Sequence, residues 1–179
     1  AAQHLYASLG VVVNSNLASN FVSTQNNEQL EAISFEYNSD GKLTSEDTDT
    51  NNDGQIDSSK SYSYDDNGNL SQVTNSASNT SETLEYDSNN QLLSRLIDKT
   101  QDEDIKETYS YANERLQQFD LDLAADGTIE SSTVYTYDAQ GNLSDYKVDK
   151  NSDGEADSTA TYTYSNNTVT SFVEDSDND

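Results

Sequence analysis

Large apolar side chains recur along most of this chain in short alternating runs, each closed by a cluster of Asp, Asn and Gly. Tyr62 and Tyr64 alternate with Ser61 and Ser63, the cluster Asp65 to Asn69 follows, and a new apolar run opens at Leu70. Tyr135, Thr136 and Tyr137 lead in the same way through Gly141 to Leu143. Alternation with a period of two puts one set of side chains on each face of a strand, and a short polar interruption with glycine turns the chain back. Each such stretch predicts a β-hairpin. After the turn the apolar positions step unevenly, as in Leu143, Tyr146 and Val148 or Leu116, Phe119 and Leu121. The second strand is therefore expected to bulge or rotate soon after it begins.

The hairpins repeat. Tyr37, Tyr64, Tyr86, Tyr111, Tyr137 and Tyr164 stand 27, 22, 25, 26 and 27 residues apart. A large apolar residue lies two places before each: Phe35, Tyr62, Leu84, Tyr109, Tyr135 and Tyr162. Leu43, Leu70, Leu92, Leu116, Leu143 or Val169 follows each by five or six places. Self-similarity at such a period marks an array of like supersecondary units. The expected fold class is all-β, an antiparallel meander of about six β-hairpin repeats curled into a barrel-like or sandwich-like body. Long loops would gather at one end and tight turns at the other. The tyrosines read as cross-strand packing; a row of exposed aromatics stacking on sugar rings is the alternative.

The longer connections carry the candidate chemistry. Asp49, Asn51, Asp53, Gln55 and Asp57 take the first, third, fifth, seventh and ninth places of a loop with Gly54 sixth. One hundred residues later, Asp149, Asn151, Asp153, Glu155 and Asp157 do the same around Gly154. Alternate side chains would point inward, the glycine would permit the sharp turn, and the eighth residue, Ile56 or Ala156, would tuck beneath. This is how a chain wraps Ca2+, a hard cation that prefers oxygen. Asp122, Asp126 and Glu130 form a third copy with Gly127, Ala124 standing where the second ligand should be. Residues 98–106 read as a decayed copy, and residues 74–83 show no ligand pattern. Asp175, Asp177 and Asp179 hold the first, third and fifth places of a further loop; a frayed acidic tail is the alternative. The twelfth place, a bidentate Glu in an EF-hand, is Lys60 or Ala160, and no helical periodicity flanks the loops. They look like the calcium loops of dockerins and thrombospondin type 3 repeats instead. Each site is then expected to bind in the millimolar range of extracellular modules, or to borrow oxygens from a neighbouring loop or subunit.

Charge and composition narrow the function. With 34 acidic against 8 basic residues the chain carries −26 formal charges, which disfavours nucleic acid and anionic membrane surfaces and favours divalent cations. The apolar content of 31% approaches that of disordered chains, but 12 Tyr and 4 Phe at regular spacings argue for order. The absence of Cys removes any disulfide framework. The absence of Met fits an exported chain whose signal peptide has been removed, a trimmed chain being the alternative. No apolar run is long enough to span a membrane. The one histidine, His4, is isolated, and neither a phosphate loop nor a nucleophile elbow is present. Carboxylate pairs carry no signal in so acidic a chain. A non-enzymatic role is expected.

Tyr64, Asp65, Gly68, Asn69 and Leu70 spell a motif that recurs as Tyr137, Asp138, Gly141, Asn142 and Leu143. It is similar to the YD repeat of Rhs/teneurin-type proteins, with looser copies around Tyr86 and Asp87 and from Tyr37 to Gly41. The resemblance covers roughly residues 33 to 179 and implies consecutive hairpins side by side in a curling antiparallel sheet. In large relatives such sheets close into a shell around a toxin. Six repeats are too few for a shell, and calcium loops are no part of the usual pattern, so that role does not transfer. The expected organisation is a hairpin-repeat domain over residues 33–179, preceded by a separate segment, residues 1–32. That segment is either a docking strand on its own sheet or an assembly strand for the open edge of the next subunit. The chain thus reads as an exported, calcium-stabilised structural protein of the cell surface or extracellular matrix. It would form a head-to-tail homopolymer, a filament. A calcium-dependent module binding carbohydrate, such as a polysaccharide, or another surface is the alternative.

Overall fold

A computed structural model describes residues 12–13, 19–25 and 28–176, with side chains from residue 31 onward. Among them every regular element is a strand. Two strands, β1 (Val12–Val13) and β2 (Ser19–Gln25), lead into six hairpins. These are β3 (Glu28–Tyr37) with β4 (Leu43–Asp49), β5 (Ser58–Tyr64) with β6 (Leu70–Asn75), and β7 (Thr80–Tyr86) with β8 (Leu92–Lys99). There follow β9 (Ile105–Ala112) with β10 (Arg115–Asp122), β11 (Ser131–Tyr137) with β12 (Leu143–Asp149), and β13 (Ser158–Ser165) with β14 (Thr168–Asp175). Strand order equals sequence order, and the described pairings are antiparallel. The meander expected from the tyrosine period is the fold. Contacts divide the chain into two units, residues 1–83 and 84–179, the division falling within β7.

The uneven apolar step after the turn is a β-bulge in the five hairpins whose register is described. Tyr137 pairs with Leu143 and Thr136 with Asp145, so Ser144 is the extra residue on β12. The same register shift occurs in the hairpins β3–β4, β5–β6, β9–β10 and β13–β14. It seats the leucine beside the anchor tyrosine and then places Tyr146 opposite Tyr135.

Each letter of the YD motif has a physical task. In the first unit Asp65 Oδ1 accepts the N–H of Asn69 at 2.7 Å, and Oδ2 accepts the Asn69 side-chain amide at 3.0 Å. The turn is closed by Asp65 N–H donating to Asn69 O at 2.9 Å. In the second unit Asp138 and Asn142 repeat these bonds at 2.8 and 3.0 Å. The tyrosine hydroxyl then reaches back one hairpin. Tyr64 donates to Leu43 O, and in the second unit Tyr137 donates to Leu116 O and Tyr164 to Leu143 O, each at 2.8 Å. The cation just before the leucine reaches forward. Lys42 Nζ donates to Gly68 O at 2.5 Å and sits 5.0 Å from the Tyr64 ring centroid; Arg115 lies 5.8 Å from that of Tyr137. Gly68 and Gly141 have φ of 83° and 88°, the left-handed region that favours glycine, and the flexible end of the cation's side chain fills the space beside each Cα.

Burial is shallow. Ala160, 1% exposed, is the one buried apolar side chain among the described residues. Tyr62 and Tyr64 stay half-buried while Ser61 and Ser63 are exposed, as the alternation requires. Cohesion lies in the plane of the sheet. In the second unit Tyr135, Tyr146, Tyr162 and Phe172 form a row with successive ring centroids 6.4, 6.5 and 5.0 Å apart, and Tyr109 sits 5.2 Å from Phe119. Such tilted pairs add about 0.5–1.5 kcal/mol each. With little buried apolar area, the hydroxyl ties between hairpins carry weight. Tyr137→Phe is expected to lose about 1 kcal/mol in urea unfolding, the net contribution of one such bond. Tyr162→Phe keeps the ring between Tyr146 and Phe172 and should change stability little; equal losses would mean the Tyr137 hydroxyl does nothing special.

Candidate metal centre

The strands ending at Asp49, Asp122 and Asp149 each lead into an acid-rich loop, and the three loops close in the same way. The first aspartate turns inward. Asp49 accepts the N–H groups of Asp53 and Gly54 at 3.1 and 2.8 Å. Asp122 accepts those of Ala124, Asp126 and Gly127 at 3.3, 3.2 and 2.8 Å. Asp149 accepts those of Asn151 and Gly154 at 3.2 and 2.9 Å. Asp49 and Asp122 are buried, 5% and 3% exposed. The fifth residue caps the next bend: Asp53, Asp126 and Asp153 accept the N–H two residues on at 2.9, 2.8 and 2.9 Å.

The ninth residue locks the loop to the strand. Asp57, Glu130 and Asp157 donate their N–H to Thr48 O, Leu121 O and Val148 O at 2.8, 2.9 and 2.8 Å. Their carboxylates accept the N–H of the second loop residue, Thr50, Leu123 or Lys150, at 2.8, 2.6 and 2.6 Å. The Thr50 hydroxyl also donates to Asp57. That hydroxyl and N–H hold the Asp57 carboxyl below its ordinary value. Burial pushes Asp149 up, but the N–H groups of Gly154, Asn151, Ser152 and Asp153 outweigh it and leave the carboxyl lowered. Bonds from Thr128 lower Asp126.

The third residues join the fifth. Asn51 Nδ2 donates to Asp53 Oδ2 at 3.2 Å and Asn151 Nδ2 to Asp153 Oδ2 at 3.0 Å. Gln55 and Glu155 are exposed. Ile56 does not tuck beneath as expected, being 55% exposed, while Ala156 at the same place is half-buried. The loop is closed by carboxylate-to-backbone bonds, so packing under the eighth residue is not needed. The twelfth place is a strand position. Lys60 lies on β5, opposite Glu46, its Nζ 3.6 Å from that carboxylate, and Ala160 is buried on β13 opposite Tyr146. No ligand can come from there. Asp175 is the last residue of β14, paired with Thr159, while Asp177 and Asp179 lie outside the described residues.

For calcium the donor chemistry is right. Each carboxylate oxygen that accepts an N–H keeps a second lone pair, and Asn51, Asn151 and Gln55 add amide oxygens. Convergence is another matter: among the described residues no three Asp, Glu, His or Cys side chains gather as a group able to hold a metal ion. As they stand, the loops are hydrogen-bonded caps built of calcium-type donors.

Residues that sequence reasoning passed over complete the picture. The six anchors are all Tyr, while the position two before accepts Phe or Leu, a signal that a hydroxyl is needed at the anchor. Lys42 and Arg115 precede Leu43 and Leu116, one repeat upstream of the glycines they cover. Asn90, with φ 63°, stands where other turns have glycine, as Asn can.

The sequence profile of the family described as Teneurin YD-shell matches residues 5–111. No curated protein sequence is significantly similar to the chain. Among solved structures, the crystal structure of TcdB2-TccC3-TEV is similar over 87% of this chain and 10% of that one, with TM-score 0.52 at 15% identity. The crystal structure of TcdB2-TccC3-Cdc42 is similar over 83% of this chain and 12% of that one, with TM-score 0.47 at 13% identity. A porin-like protein from Bacteroides uniformis is similar over 87% of this chain and 59% of that one, with TM-score 0.43 at 18% identity. The first of these likenesses shows the fold alone. The chain spans about a tenth of the length of the first two structures.

Proposed function

Because the chain belongs to the teneurin YD-shell family, we propose that it is a non-enzymatic structural scaffold, exported to the cell surface or extracellular matrix, whose inter-hairpin loops take up calcium. The observation that supports this is the recurrence of one closed loop at Asp49, Asp122 and Asp149, with oxygen donors at alternate places in the first and last and Ala124 interrupting the series in the second. Free calcium is plentiful outside cells, and a −26 chain gains from any divalent cation that lowers its self-repulsion. Copies would join into a homopolymer. A calcium-dependent polysaccharide-binding module is the second reading, favoured by the aromatic row from Tyr135 to Phe172.

Calcium at about ten times a millimolar dissociation constant stabilises by about 1.4 kcal/mol per site. Calorimetry should show the melting temperature rising by about 3–5 °C per occupied loop. Magnesium, which demands a tighter octahedron, should do less. Asp153→Asn leaves an oxygen for the Glu155 N–H but removes a charge, so it should reduce the calcium shift while leaving the chelator baseline nearly unchanged. Equal shifts from both ions would reduce the effect to charge screening, and no shift would end the calcium reading.

A further inference from the structure

We infer that Tyr146 is a site of oxidative cross-linking, its ring joined carbon to carbon with that of Tyr135 or Tyr162, the tyrosines on either side of it. The inference goes beyond the proposed function and depends on neither calcium nor self-association. The chain has 12 tyrosines. Among the described residues, these three are the ones whose rings stand beside another tyrosine ring, Tyr135 and Tyr146 at 6.4 Å between centroids and Tyr146 and Tyr162 at 6.5 Å. Register brings them together. Tyr135 lies directly opposite Tyr146, and Tyr146 lies opposite Ala160, which puts Tyr162 on the diagonal. At the matching places of other hairpins Tyr109 meets Phe119, Tyr62 pairs with Val73 and Phe35 with Glu46. Phe172, beyond Tyr162, ends the row with a ring that has no phenol.

The hydroxyls set the three apart as well. Tyr64, Tyr137 and Tyr164 donate to carbonyls one hairpin back, and Tyr62 and Tyr109 donate to Glu46 and Glu107. Among the described residues no acceptor takes the hydroxyls of Tyr135, Tyr146 and Tyr162, and their half-buried rings leave those groups to solvent. The oxidant is hydrogen peroxide used by a haem peroxidase. Each of two phenols gives up one electron and one proton and becomes a phenoxyl radical with spin on the carbons beside its oxygen. The peroxide O–O bond breaks, takes up those electrons and protons, and leaves as two molecules of water. The radicals couple through the spin-bearing carbons, and the hydrogen on each joined carbon moves to its ring oxygen, restoring both phenols. Rings already side by side couple faster than rings that must meet by diffusion, and −26 bodies resist meeting at all. In a chain without cysteine the product is a covalent staple, tying β12 to β11 or to β13.

Treated with peroxide and a plant haem peroxidase, the dilute intact chain should gain dityrosine fluorescence and lose the mass of two hydrogens while running as a monomer on a denaturing gel. It should also melt about 6–12 °C higher, as closing a short loop predicts. Trypsin cuts after Arg115, Lys147 and Lys150, so Tyr135 and Tyr146 share one peptide, and a link to Tyr162 joins that peptide to the one beginning at Asn151. Tyr146→Phe keeps the ring and should cut the yield at least about tenfold. The double variant Tyr135→Phe with Tyr162→Phe leaves Tyr146 with no phenol beside it and should lose the product too. Tyr137→Phe, in the same peptide but with its hydroxyl bound to Leu116 O, should leave the yield unchanged. An intact chain that forms no dityrosine, a Tyr146→Phe chain that forms as much, links that fall on other tyrosines, or dimers in place of the cross-linked monomer would overturn the assignment. An unchanged melting temperature would overturn the role of a staple.

Discussion

Asp122→Ala is expected to remove about 3 kcal/mol of stability and to lower the melting temperature by about 9 °C, in metal chelator. The carboxylate is 3% exposed and accepts three backbone N–H groups, from Ala124, Asp126 and Gly127. Alanine would leave those donors facing a site with no acceptor. Charge-assisted bonds are the stronger kind, and a stranded buried donor costs about 1–3 kcal/mol. Local opening of the loop toward water returns part of the loss, which is why the expectation stays below the sum of three bonds. Asp126→Ala, which loses only the cap on Thr128 at an exposed site, should cost about 1 kcal/mol. Doing the experiment in chelator separates two roles. A residue that matters only as a metal ligand would be silent there. If Asp122→Ala unfolds with the wild-type midpoint, the backbone-cap role assigned to this carboxylate is wrong.

The two roles could not be separated by reading the sequence. Carboxylates at the first, fifth and ninth places around a glycine are what a cation needs, and also what a tight loop needs to satisfy its own N–H groups. Both requirements come from the same backbone geometry, so the same letters answer to both. The hairpins were legible for the opposite reason. Alternation of Tyr62 and Tyr64 with serine has one structural meaning, and the odd step from Leu143 to Tyr146 correctly announced the bulge at Ser144. Interactions between hairpins were the harder part. Lys42 and Gly68, 26 residues apart, meet only because strand order equals sequence order and successive turns lie side by side within the unit. Ile56 misled because an aliphatic residue in a loop suggests something to pack against, whereas this loop is held from within by Asp49 and Asp57.

Raising the pH should unfold the protein cooperatively between pH 10 and about 12, in step with tyrosine ionisation. Burial pushes the Tyr109 hydroxyl up to about 12, aided by its 2.9 Å bond to the Glu107 carboxylate and that group's charge. Tyr62, Tyr111, Tyr135 and Tyr146 are raised as well, first by burial and then by Glu46, Asp87, neighbouring tyrosines and Glu174. In the unfolded chain these groups titrate near the ordinary value of 10. A folded-state value above the unfolded one means that the fold holds the proton more tightly. The corresponding stability is complete below pH 10 and drains away as the pH climbs toward the folded value. Repulsion acts in the same direction, since each tyrosinate adds to a chain already at −26. Because the tyrosines are the cohesive layer of a sheet with almost no buried core, their ionisation strikes the main source of stability and not its margin. Near-ultraviolet circular dichroism should collapse together with the rise of tyrosinate absorbance, and salt should shift the transition to higher pH by screening the repulsion. Glu107→Gln removes the carboxylate's share at Tyr109 but not the burial, so the ionisation of Tyr109 should move down without reaching the ordinary value. Independent titration of the tyrosines near pH 10 with the fold intact would show that the ladder does not hold the sheet together.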